Sequence, residues 1–570
     1  MTRPANLRVA SVVLAAGLCT GMPAPAQQPQ PDAVLELLRQ IQDRYRAQDW
    51  AAAVPLLERI VEINPHVADF WHSLGMARSR MREHRGAIAA LEKALELGAG
   101  SASNNVAYEI ARNYGFLGEK GPALEWLQRA LESGFRRREN IRGDAAFTLL
   151  HGDATYQALA MPVDTASMSR AEGWAYDISF LELEVGRLHY DPFRKVSKAV
   201  FESEARRLRE EAAGLTDNQI IVRLMALLSM IGDGHTGCFP DLVPAWSQTV
   251  PVQFEIFREG LFIVAAEPGS ADFVGVQVLR FGAHPWEQVI EKLSPLISKD
   301  NSQGVLRSAP SFLRYPQILN GLGLQAESDR LQMTIRAADG EEQSVTVAAA
   351  PTDPEFNRIS GHPRWVTAYQ DAPGPVPLYL KDRRTFYWFE HLAQKKTVYF
   401  QFNSVSNDPE EPIDRFIDRL FEFIDQNEVQ TLVIDMRWNN GGNTLLLPPL
   451  LRALASDRAV TRLGHLFVIV GRYTYSAAMN AATFLEGQTE AILVGEPTPS
   501  SPNYVGESNI IGLPYSQTRV SISDLFWQSS WPFDQRTWVA PLLPIPPSFE
   551  AYKAKRDPAL EAILDSRPAD

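Results

Sequence analysis

A serine follows a buried strand at a point where covalent chemistry is possible. In the segment FVIVGRYTYSAAMN, the apolar run from Phe467 to Val470 predicts a buried parallel strand, and Ser476 opens a stretch that predicts a helix. A serine at a helix start commonly acts as an N-cap, whose hydroxyl accepts a bond from an unpaired backbone N–H. It can also be a nucleophile at a strand-to-helix turn, where the following N–H groups stabilise an oxyanion. This segment alone leaves both interpretations open, and we expect the one serine to serve both roles, as a cap and as a nucleophile.

Two further loops carry residues suited to the same chemistry. Gly441 and Gly442 follow the predicted strand 431–434 in IDMRWNNGGNT, and paired glycines permit a backbone path that turns an N–H toward a cleft. Far upstream, His235 lies in the glycine-rich loop IGDGHTGCF, after an apolar helix. An imidazole can take a serine proton and return it to a leaving amine. Asp233 of this loop is expected to fix the loop by accepting bonds from nearby N–H groups.

The elements that must position these loops alternate between strand and helix. From residue 395 onward, KTVYFQFN, TLVIDM, LFVIV and AILVG predict strands, and the stretches between them predict helices around 410–427, 444–456 and 476–486. This alternation predicts an α/β core at 385–565 with a largely parallel sheet. In such sheets the chemistry gathers in the loops at the carboxyl ends of the strands.

Two parts are predicted directly before this core. Residues 165–245 read as a helical segment that ends in the DGHT loop. Residues 246–352 contain short alternating apolar runs, a hairpin turn at Asp339-Gly340 and one helix near 285–293, which predicts a β-rich module that resembles a PDZ domain.

The N-terminal part of the chain carries a repeat. In residues 32–140, Ala53, Ala87 and Ala123 recur at intervals of 34 and 36 residues within helical patterns. This region resembles tetratricopeptide repeats, in which small residues let paired helices touch. The predicted architecture is therefore multidomain and begins with an α-solenoid, which is expected to bind a protein partner.

Composition excludes several classes of function. The 570 residues have a net charge of −13 and no long basic block, which excludes a nucleic-acid partner. There is no H-E-x-x-H, no paired cysteine and no phosphate-binding G-x-x-x-x-G-K-[ST], so neither a metal nor a cofactor is expected.

The first residues resemble a secretory signal. Arg3 and Arg8 precede an apolar core from Val9 to Leu18, and Ala24-Pro25-Ala26 offers a cleavage site, which predicts a signal peptide over 1–26. The expected location is periplasmic or secreted, and no transmembrane segment is expected in the mature chain because the apolar stretch is too short to span a bilayer.

Four motifs occur in an order that points to one superfamily. DGHT, D-x-R-x-N-x-G-G, TYSAA and VGEPT follow one another, and RDPALEAIL closes the series. Over about residues 170–565 the chain resembles the tail-specific (C-terminal-processing) proteases and tricorn-like serine peptidases, which also include retinoid-binding relatives. The resemblance implies a crotonase-like α/β core with Ser476 as nucleophile. It also implies an oxyanion hole formed by a backbone N–H of Gly441 or Gly442 together with that of Ala477.

The general base departs from the pattern of the tail-specific proteases proper, which pair the serine with a lysine. Ser500 and Ser501 stand where that lysine would fall, and the nearest downstream basic residue, Arg519, stays protonated at neutral pH. A serine–lysine dyad is therefore excluded. The tricorn-like branch resembles this chain through a histidine that maps onto His235.

Two acids are candidates for orienting that histidine. Asp534 in WPFDQRTWVAP stands near the place where tricorn-like proteins carry an acid, and Glu507 in YVGES is the alternative. The leading hypothesis is an exported Ser–His peptidase that hydrolyses peptides or proteins. The alternative is an inactive family member that binds a peptide or another ligand, or acts as a scaffold, because fold does not fix function.

Overall fold

The computed structural model describes residues 31–99, 103–135, 138–160, 164–337, 339–456 and 458–566. The predicted signal peptide, residues 1–26, lies outside the described residues. The chain divides into two compact units, Met1–Pro162 and Val163–Asp570, each of which is described by itself. In the described ranges, no helix combines the length and the apolarity needed to cross a membrane.

The first unit is a series of helices in which α1 to α6 each pack on the next. A short 3-10 turn, Ala145–Leu150, separates the last two helices. The helices are α1 (Pro31–Arg46), α2 (Trp50–Ile63), α3 (Ala68–Arg80), α4 (His84–Glu96), α5 (Ser103–Phe116), α6 (Lys120–Glu132), α7 (Arg138–Gly143) and α8 (Ala154–Ala160).

The same turn recurs inside three successive helix pairs of this unit. One residue in each turn adopts a left-handed backbone, with φ of 55°, 60° and 73° at Gln48, Arg82 and Gly118. The carbonyl of the next residue then accepts the N–H of a fully buried alanine at the start of the second helix, and these alanines are Ala53, Ala87 and Ala123. The three pairs are therefore structural repeats at the spacing predicted from the sequence.

The second unit contains the remaining helices and, within the described residues, all of the strands. The helices are α9 (Arg170–Leu188), α10 (Lys198–Glu211), α11 (Asp217–Ser229), α12 (Trp286–Leu293), α13 (Gln303–Phe312), α14 (Pro316–Gly321), α15 (Ile413–Gln426), α16 (Pro448–Leu454), α17 (Ala477–Gln488), α18 (Phe549–Lys553) and α19 (Pro558–Asp565).

The strands begin with β1 (Gln248–Thr249), β2 (Val252–Phe257), β3 (Gly260–Ala266), β4 (Gln277–Phe281), β5 (His284–Pro285), β6 (Arg330–Arg336), β7 (Glu342–Ala348), β8 (Ala350–Pro351) and β9 (Val366–Thr367). They continue with β10 (Tyr387–Leu392), β11 (Thr397–Phe402), β12 (Thr431–Asp435), β13 (Leu466–Val470), β14 (Ile492–Gly495), β15 (Asn503–Gly512), β16 (Arg519–Gln528) and β17 (Leu543–Pro544).

An antiparallel sheet in the order β2-β3-β4-β6-β7 forms the predicted β-rich region. Gly340, with φ of 87°, makes the expected turn between β6 and β7. The predicted helix near 285–293 is α12, whereas α13 and α14 were not predicted. One hydrophobic core joins this sheet to the helices α9 to α11, through side chains such as Leu181, Leu228 and Phe254. The helical and β-rich regions therefore share their core, although their sequence patterns differ.

A six-stranded sheet in the order β10-β11-β12-β13-β14-β17 forms the α/β core. The pair β10–β11 is antiparallel, and every pairing from β11 to β17 is parallel. The four strands predicted from apolar runs are β11 to β14, and α15, α16 and α17 lie where helices were predicted. The carboxyl ends of β12 and β13 lead directly to Gly441 and to Ser476, which places both loops at one edge of the sheet.

The antiparallel hairpin β15–β16 was not predicted, yet it holds the DGHT loop. Ser521 of β16 exchanges backbone hydrogen bonds of 2.9 Å with Gly237 in both directions. The hydroxyl of Ser521 also donates to the carbonyl of His235 at 2.7 Å. The loop that carries His235 is therefore held by a strand that follows Ser476 in the chain.

The D-x-R motif at the end of β12 forms a buried ion network. Arg437 donates from Nε to Asp435 Oδ1 at 3.0 Å and makes two bonds of 2.9 Å to the carboxylate of Asp557. Burial raises the pKa of Asp435, and the guanidinium of Arg437 opposes that shift. Asp557 also caps α19 by accepting the N–H of Leu560. Arg437 thus joins the C-terminal helix to the strand that leads to Gly441.

Arg437→Leu is expected to lower the free energy of unfolding by about 3–5 kcal/mol, because two buried carboxylates lose their counter-charge. Denaturant unfolding followed by tryptophan fluorescence measures this change. Arg419→Leu is the matched control, since Arg419 makes a similar two-bond pair with Glu411, at 2.8 and 2.7 Å, on the surface. The control should lose less than about 1 kcal/mol. Equal losses in the two variants would contradict a structural role for the buried network.

Candidate active site

Ser476 occupies the turn between β13 and α17 in a strained backbone conformation. Its φ of 54° and ψ of −125° lie in a region that residues with a Cβ rarely adopt. Two bonds to the loop after β12 hold this turn: the Thr474 hydroxyl donates to the carbonyl of Met436 at 2.9 Å, and the Tyr475 N–H donates to the carbonyl of Asn439 at 3.0 Å. The strain is therefore maintained by a neighbouring buried loop.

The hydroxyl of Ser476 does not cap α17, so the expectation that it would do so is wrong. The residue is at the N-cap position, but its side chain accepts no bond from the helix N–H groups. Tyr504 of β15 instead brings its own hydroxyl beside Ser476 and Asn480. The serine oxygen therefore makes no hydrogen bond to its own helix and lies beside the Tyr504 hydroxyl instead.

Of the two predicted glycines, Gly441 packs against this turn and Gly442 packs against Val405. A Cβ at Gly441 would lie 2.6 Å from the Ser476 Cβ and 3.0 Å from the Ala477 nitrogen, and a Cβ at Gly442 would lie 2.1 Å from the Val405 carbonyl oxygen. Both positions also have positive φ, so only glycine fits there.

The backbone donors of the predicted oxyanion hole differ in their availability. The Gly441 N–H already donates to the Asn439 side chain at 3.0 Å. Within the part of the chain that the structure describes, the N–H groups of Gly442 and Ala477 have no acceptor. Of the two glycines that the sequence left open, Gly442 has the free donor.

His235 is held in its loop by Asp233. One carboxylate oxygen of Asp233 accepts the N–H groups of His235 at 2.8 Å and Thr236 at 2.6 Å, and the other pairs with His189 Nε2 at 2.8 Å. Burial raises the pKa of Asp233, but the interactions with His189, the Thr236 N–H and His235 together more than offset this and keep that pKa below its ordinary value. Asp233 therefore has the loop-fixing role that was expected of it.

The buried imidazole of His235 contacts the residue that precedes the serine. Its Nδ1 lies 2.9 Å from the Tyr475 hydroxyl, and its ring is nearly parallel to those of Tyr475 and Tyr504, with centroids 4.5 and 5.4 Å away. Its Nε2 has no hydrogen-bond partner among the described residues. The structure therefore brings His235 and Ser476 to one site through two tyrosines, without a hydrogen bond between them.

The surroundings keep this imidazole neutral at pH 7. Burial lowers the pKa of His235 to about 4; the carboxylate of Asp233 opposes that shift, and the Arg307 guanidinium adds to it. Arg307 lies over the Tyr475 ring at 4.0 Å from its centroid. A neutral imidazole can accept a proton, which is what a general base requires.

Across the described ranges, no three His, Cys, Asp or Glu side chains form a group that could hold a metal ion.

Neither predicted acid contacts the histidine. The carboxylate of Asp534 pairs with Arg536 at 2.8 Å and accepts the Ser530 hydroxyl at 2.7 Å, and the Arg536 guanidinium holds the pKa of Asp534 well below its usual range. Glu507 is exposed on β15. Because the Tyr475 hydroxyl occupies His235 Nδ1, the structure does not bring either acid to the imidazole.

Three residues of the site were not singled out from the sequence. Tyr475 lies inside the TYSAA motif, where only the serine was given a role, and Tyr504 lies on the hairpin that was not predicted. The third is Asp300, in the segment before α13, whose buried Oδ2 has no hydrogen-bond partner among the described residues. Burial raises the pKa of Asp300 to about 7. No local pattern marks Asp300, because its neighbours in space come from distant segments.

Ser476→Gly is expected to raise the free energy of unfolding above that of the wild-type chain by about 1 kcal/mol, because glycine adopts this φ and ψ without strain. The matched control is Ser197→Gly, at an N-cap with an ordinary φ of −70° and a cap bond to Val200. That change should lower the free energy by a few tenths of a kcal/mol. Denaturant unfolding compares the two. A loss of stability in Ser476→Gly would contradict the strain.

The chain is similar to solved structures, although its sequence matches no known family. It matches no protein-family model and no curated protein sequence. Among solved structures it is similar to mature CPAF complexed with lactacystin, with a TM-score of 0.50 and 14% identity over 69% of this chain and 97% of that chain. A crystal structure of a CPAF mutant gives a TM-score of 0.50 and 13% identity over 70% of this chain and 99% of that chain. The photosystem II D1 C-terminal processing protease matches at a TM-score of 0.33 and 13% identity, over 67% of this chain and 96% of that chain.

At these identities the likeness establishes the fold alone. The motifs DGHT, D-x-R-x-N-x-G-G, TYSAA and VGEPT all lie in the second unit, which contains most of the chain. The chain therefore shares its fold with CPAF, a member of the tail-specific protease superfamily that the ordered motifs predict.

Proposed function

We propose that this chain is a serine peptidase in which Ser476 attacks the substrate carbonyl and His235 is the general base. The observation that carries the proposal is the strained Ser476, which is followed by the free N–H of Ala477, packs against Gly441 and shares a site with a buried neutral imidazole. The fold shared with CPAF supports it. The absence of the family's lysine from the VGEPT segment favours His235 as the base, and its Nε2 has no hydrogen-bond partner among the described residues.

The acylation step follows from these positions. As the Ser476 oxygen bonds to the carbonyl carbon, its O–H bond breaks and the proton passes to His235 Nε2. The carbonyl oxygen becomes an oxyanion that accepts bonds from the N–H groups of Gly442 and Ala477, each worth about 3 kcal/mol. The imidazolium then gives its proton to the leaving amine, and water hydrolyses the acyl-enzyme. Bonds between nucleophile and base often tighten only when substrate is bound.

The finer assignments of the other regions belong to the same proposal. The three repeated helix pairs are proposed to be tetratricopeptide repeats that bind a protein partner, which their common turn and spacing support. The antiparallel sheet is proposed to be a PDZ-like module, and the α/β core to be crotonase-like. The basic, apolar and A-x-A features of residues 1–26 support export to the periplasm or the exterior.

Fluorophosphonate labelling tests the nucleophile. The full chain should be labelled, Ser476→Ala should abolish labelling, and His235→Gln should slow it by about 10²–10⁴-fold because the base is lost. Gel fluorescence over time measures the rate. Ser197→Ala is the control, since Ser197 caps α10 and should leave the labelling rate unchanged.

Release of new amino groups from casein then tests for a peptidase, and it should depend on Ser476 and His235 in the same way. Labelling that survives Ser476→Ala would reject the assigned nucleophile. A folded wild-type chain that neither reacts with the probe nor cleaves casein would favour the binding or scaffold alternative.

A further inference from the structure

Several buried polar atoms near Ser476 have no hydrogen-bond partner in the described part of the chain: His235 Nε2, Tyr504 Oη, Asp300 Oδ2 and Ser500 Oγ. Buried polar atoms are nearly always bonded, so a group of exceptions at one site requires an explanation. The proposed reaction uses the first, and the second lies beside the nucleophile. The Asp300 carboxyl, with Ser500 beside it, has no role in that reaction.

The position of Asp300 is defined by the DGHT loop. A Cβ built on Gly234 would lie 2.6 Å from the Tyr475 hydroxyl oxygen and 3.2 Å from Asp300 Oδ2. The two oxygens therefore flank the same point above one glycine. On its other side, the Tyr475 hydroxyl is 2.9 Å from His235 Nδ1. The Tyr475 hydroxyl is thus bonded to the imidazole and also lies close to the Asp300 carboxyl, to which the structure gives it no hydrogen bond.

We propose that Tyr475 and Asp300 are positioning residues that complete the site as a His–Tyr–Asp array, in place of an acid bonded directly to His235. This inference rests on the proposed peptidase function. His235 Nδ1–H donates to the Tyr475 oxygen, whose own O–H is then free to turn toward the nearby Asp300 carboxylate. The array fixes the tautomer with the lone pair on Nε2, the atom that must receive the serine proton. It also stabilises the imidazolium that forms when that proton arrives.

The array accounts for the lack of contact between His235 and either predicted acid. Asp534 is neutralised by Arg536 at the surface, whereas Asp300 is buried beside Tyr475. A hydroxyl between the ring and the carboxylate supplies both a hydrogen-bond acceptor for Nδ1–H and a donor toward the anion. Tyr475 therefore has two functions, since it also precedes the nucleophile in the turn.

The charge on Asp300 depends on pH near neutrality. Burial raises its pKa to about 7; the Lys195 ammonium lowers it, the Asp233 carboxylate raises it, and the Ser500 side chain and Gly234 N–H lower it. Arg307, over the Tyr475 ring, is the other charged group that faces the array. The carboxylate forms as pH rises through about 7, so the wild-type rate should fall as pH drops below 7. Loss of His235 basicity would come only near pH 4, where the pKa of the imidazole lies.

The second-order rate of fluorophosphonate labelling, measured from pH 5 to 9, tests the array by a double-mutant cycle. At pH 8, Tyr475→Phe and Asp300→Asn should each lower the rate by about 10²-fold or more, and the double variant should lose no more than either single one. In Asp300→Asn the acid limb near pH 7 should disappear. Asp534→Asn is the matched control and should keep both the wild-type rate and the wild-type pH profile.

The tautomer of His235 gives a second measurement that does not depend on turnover. With ¹⁵N-labelled histidine at pH 8, the resonance assigned by its absence in His235→Gln should report a proton on Nδ1 in the wild-type chain. Asp300→Asn and Tyr475→Phe should shift that proton toward Nε2. A proton on Nε2 in the wild-type chain, a wild-type rate in Asp300→Asn, or multiplying losses in the double variant would each overturn the array. A wild-type chain that does not react with the fluorophosphonate but carries a proton on His235 Nδ1 would reject the peptidase function and leave the array standing.

Discussion

The imidazole of His235 is held by groups that come from four separate parts of the chain. Asp233 fixes its backbone, Ser521 of the β15–β16 hairpin accepts and donates around the same loop, and the rings of Tyr475 and Tyr504 lie parallel to it. These contacts act on the backbone of the loop and on the imidazole itself, and together they fix the position of the ring. Because the hairpin also brings Tyr504 to Ser476, it contacts both the loop that carries His235 and the turn that carries the serine. Any function of this site depends on that shared placement.

The backbone of Ser476 is strained, and neighbouring segments hold it in that conformation. Ser476 keeps an unfavourable backbone conformation because Thr474 and Tyr475 are bonded to the loop after β12. That loop is held in turn by the pairing of Arg437 with two buried carboxylates. Such an ion network costs much desolvation, and its net contribution to stability is smaller than its bonds suggest. Its value here is geometric, since it fixes the strand end from which the two glycines emerge.

Periodicity was sufficient to predict the parts of the molecule whose neighbours are close in sequence. Apolar runs or apolar spacing over a few turns predict the strands β11 to β14, the helices between them and the repeated helix pairs. The hairpin β15–β16 lacks such spacing, because each strand is buried over consecutive residues at one end and more exposed at the other, and the run NYVGESNIIG mixes apolar and polar residues irregularly. The helices α13 and α14 were missed because each is short and carries a proline within it or at its start.

The residues of the site likewise fall into those that a local motif predicts and those that only the fold brings together. Ser476, His235 and the glycine pair lie in motifs, so their types and order were visible; in the structure Gly441 packs against Ser476, and His235 is bonded to the neighbouring Tyr475. The acid was not predictable in this way, since the role of a carboxylate depends on which charges face it. Asp534 looked suitable by position, yet Arg536, two residues later, takes it as a partner. Asp300 carries no motif, and only the fold brings it to Tyr475.

An intervening hydroxyl also suits the electrostatics of this site better than a directly bonded carboxylate would. His235 is buried, and the positive charge of the nearby Arg307 disfavours a positive charge on the imidazole. A carboxylate against Nδ1 would offset that effect but would place another charge in the most desolvated part of the site, which is costly. The Asp300 carboxyl instead lies within the field of the Lys195 ammonium, which lowers its pKa and balances part of its charge. The resting imidazole then stays neutral, and the carboxylate acts mainly when a proton reaches Nε2.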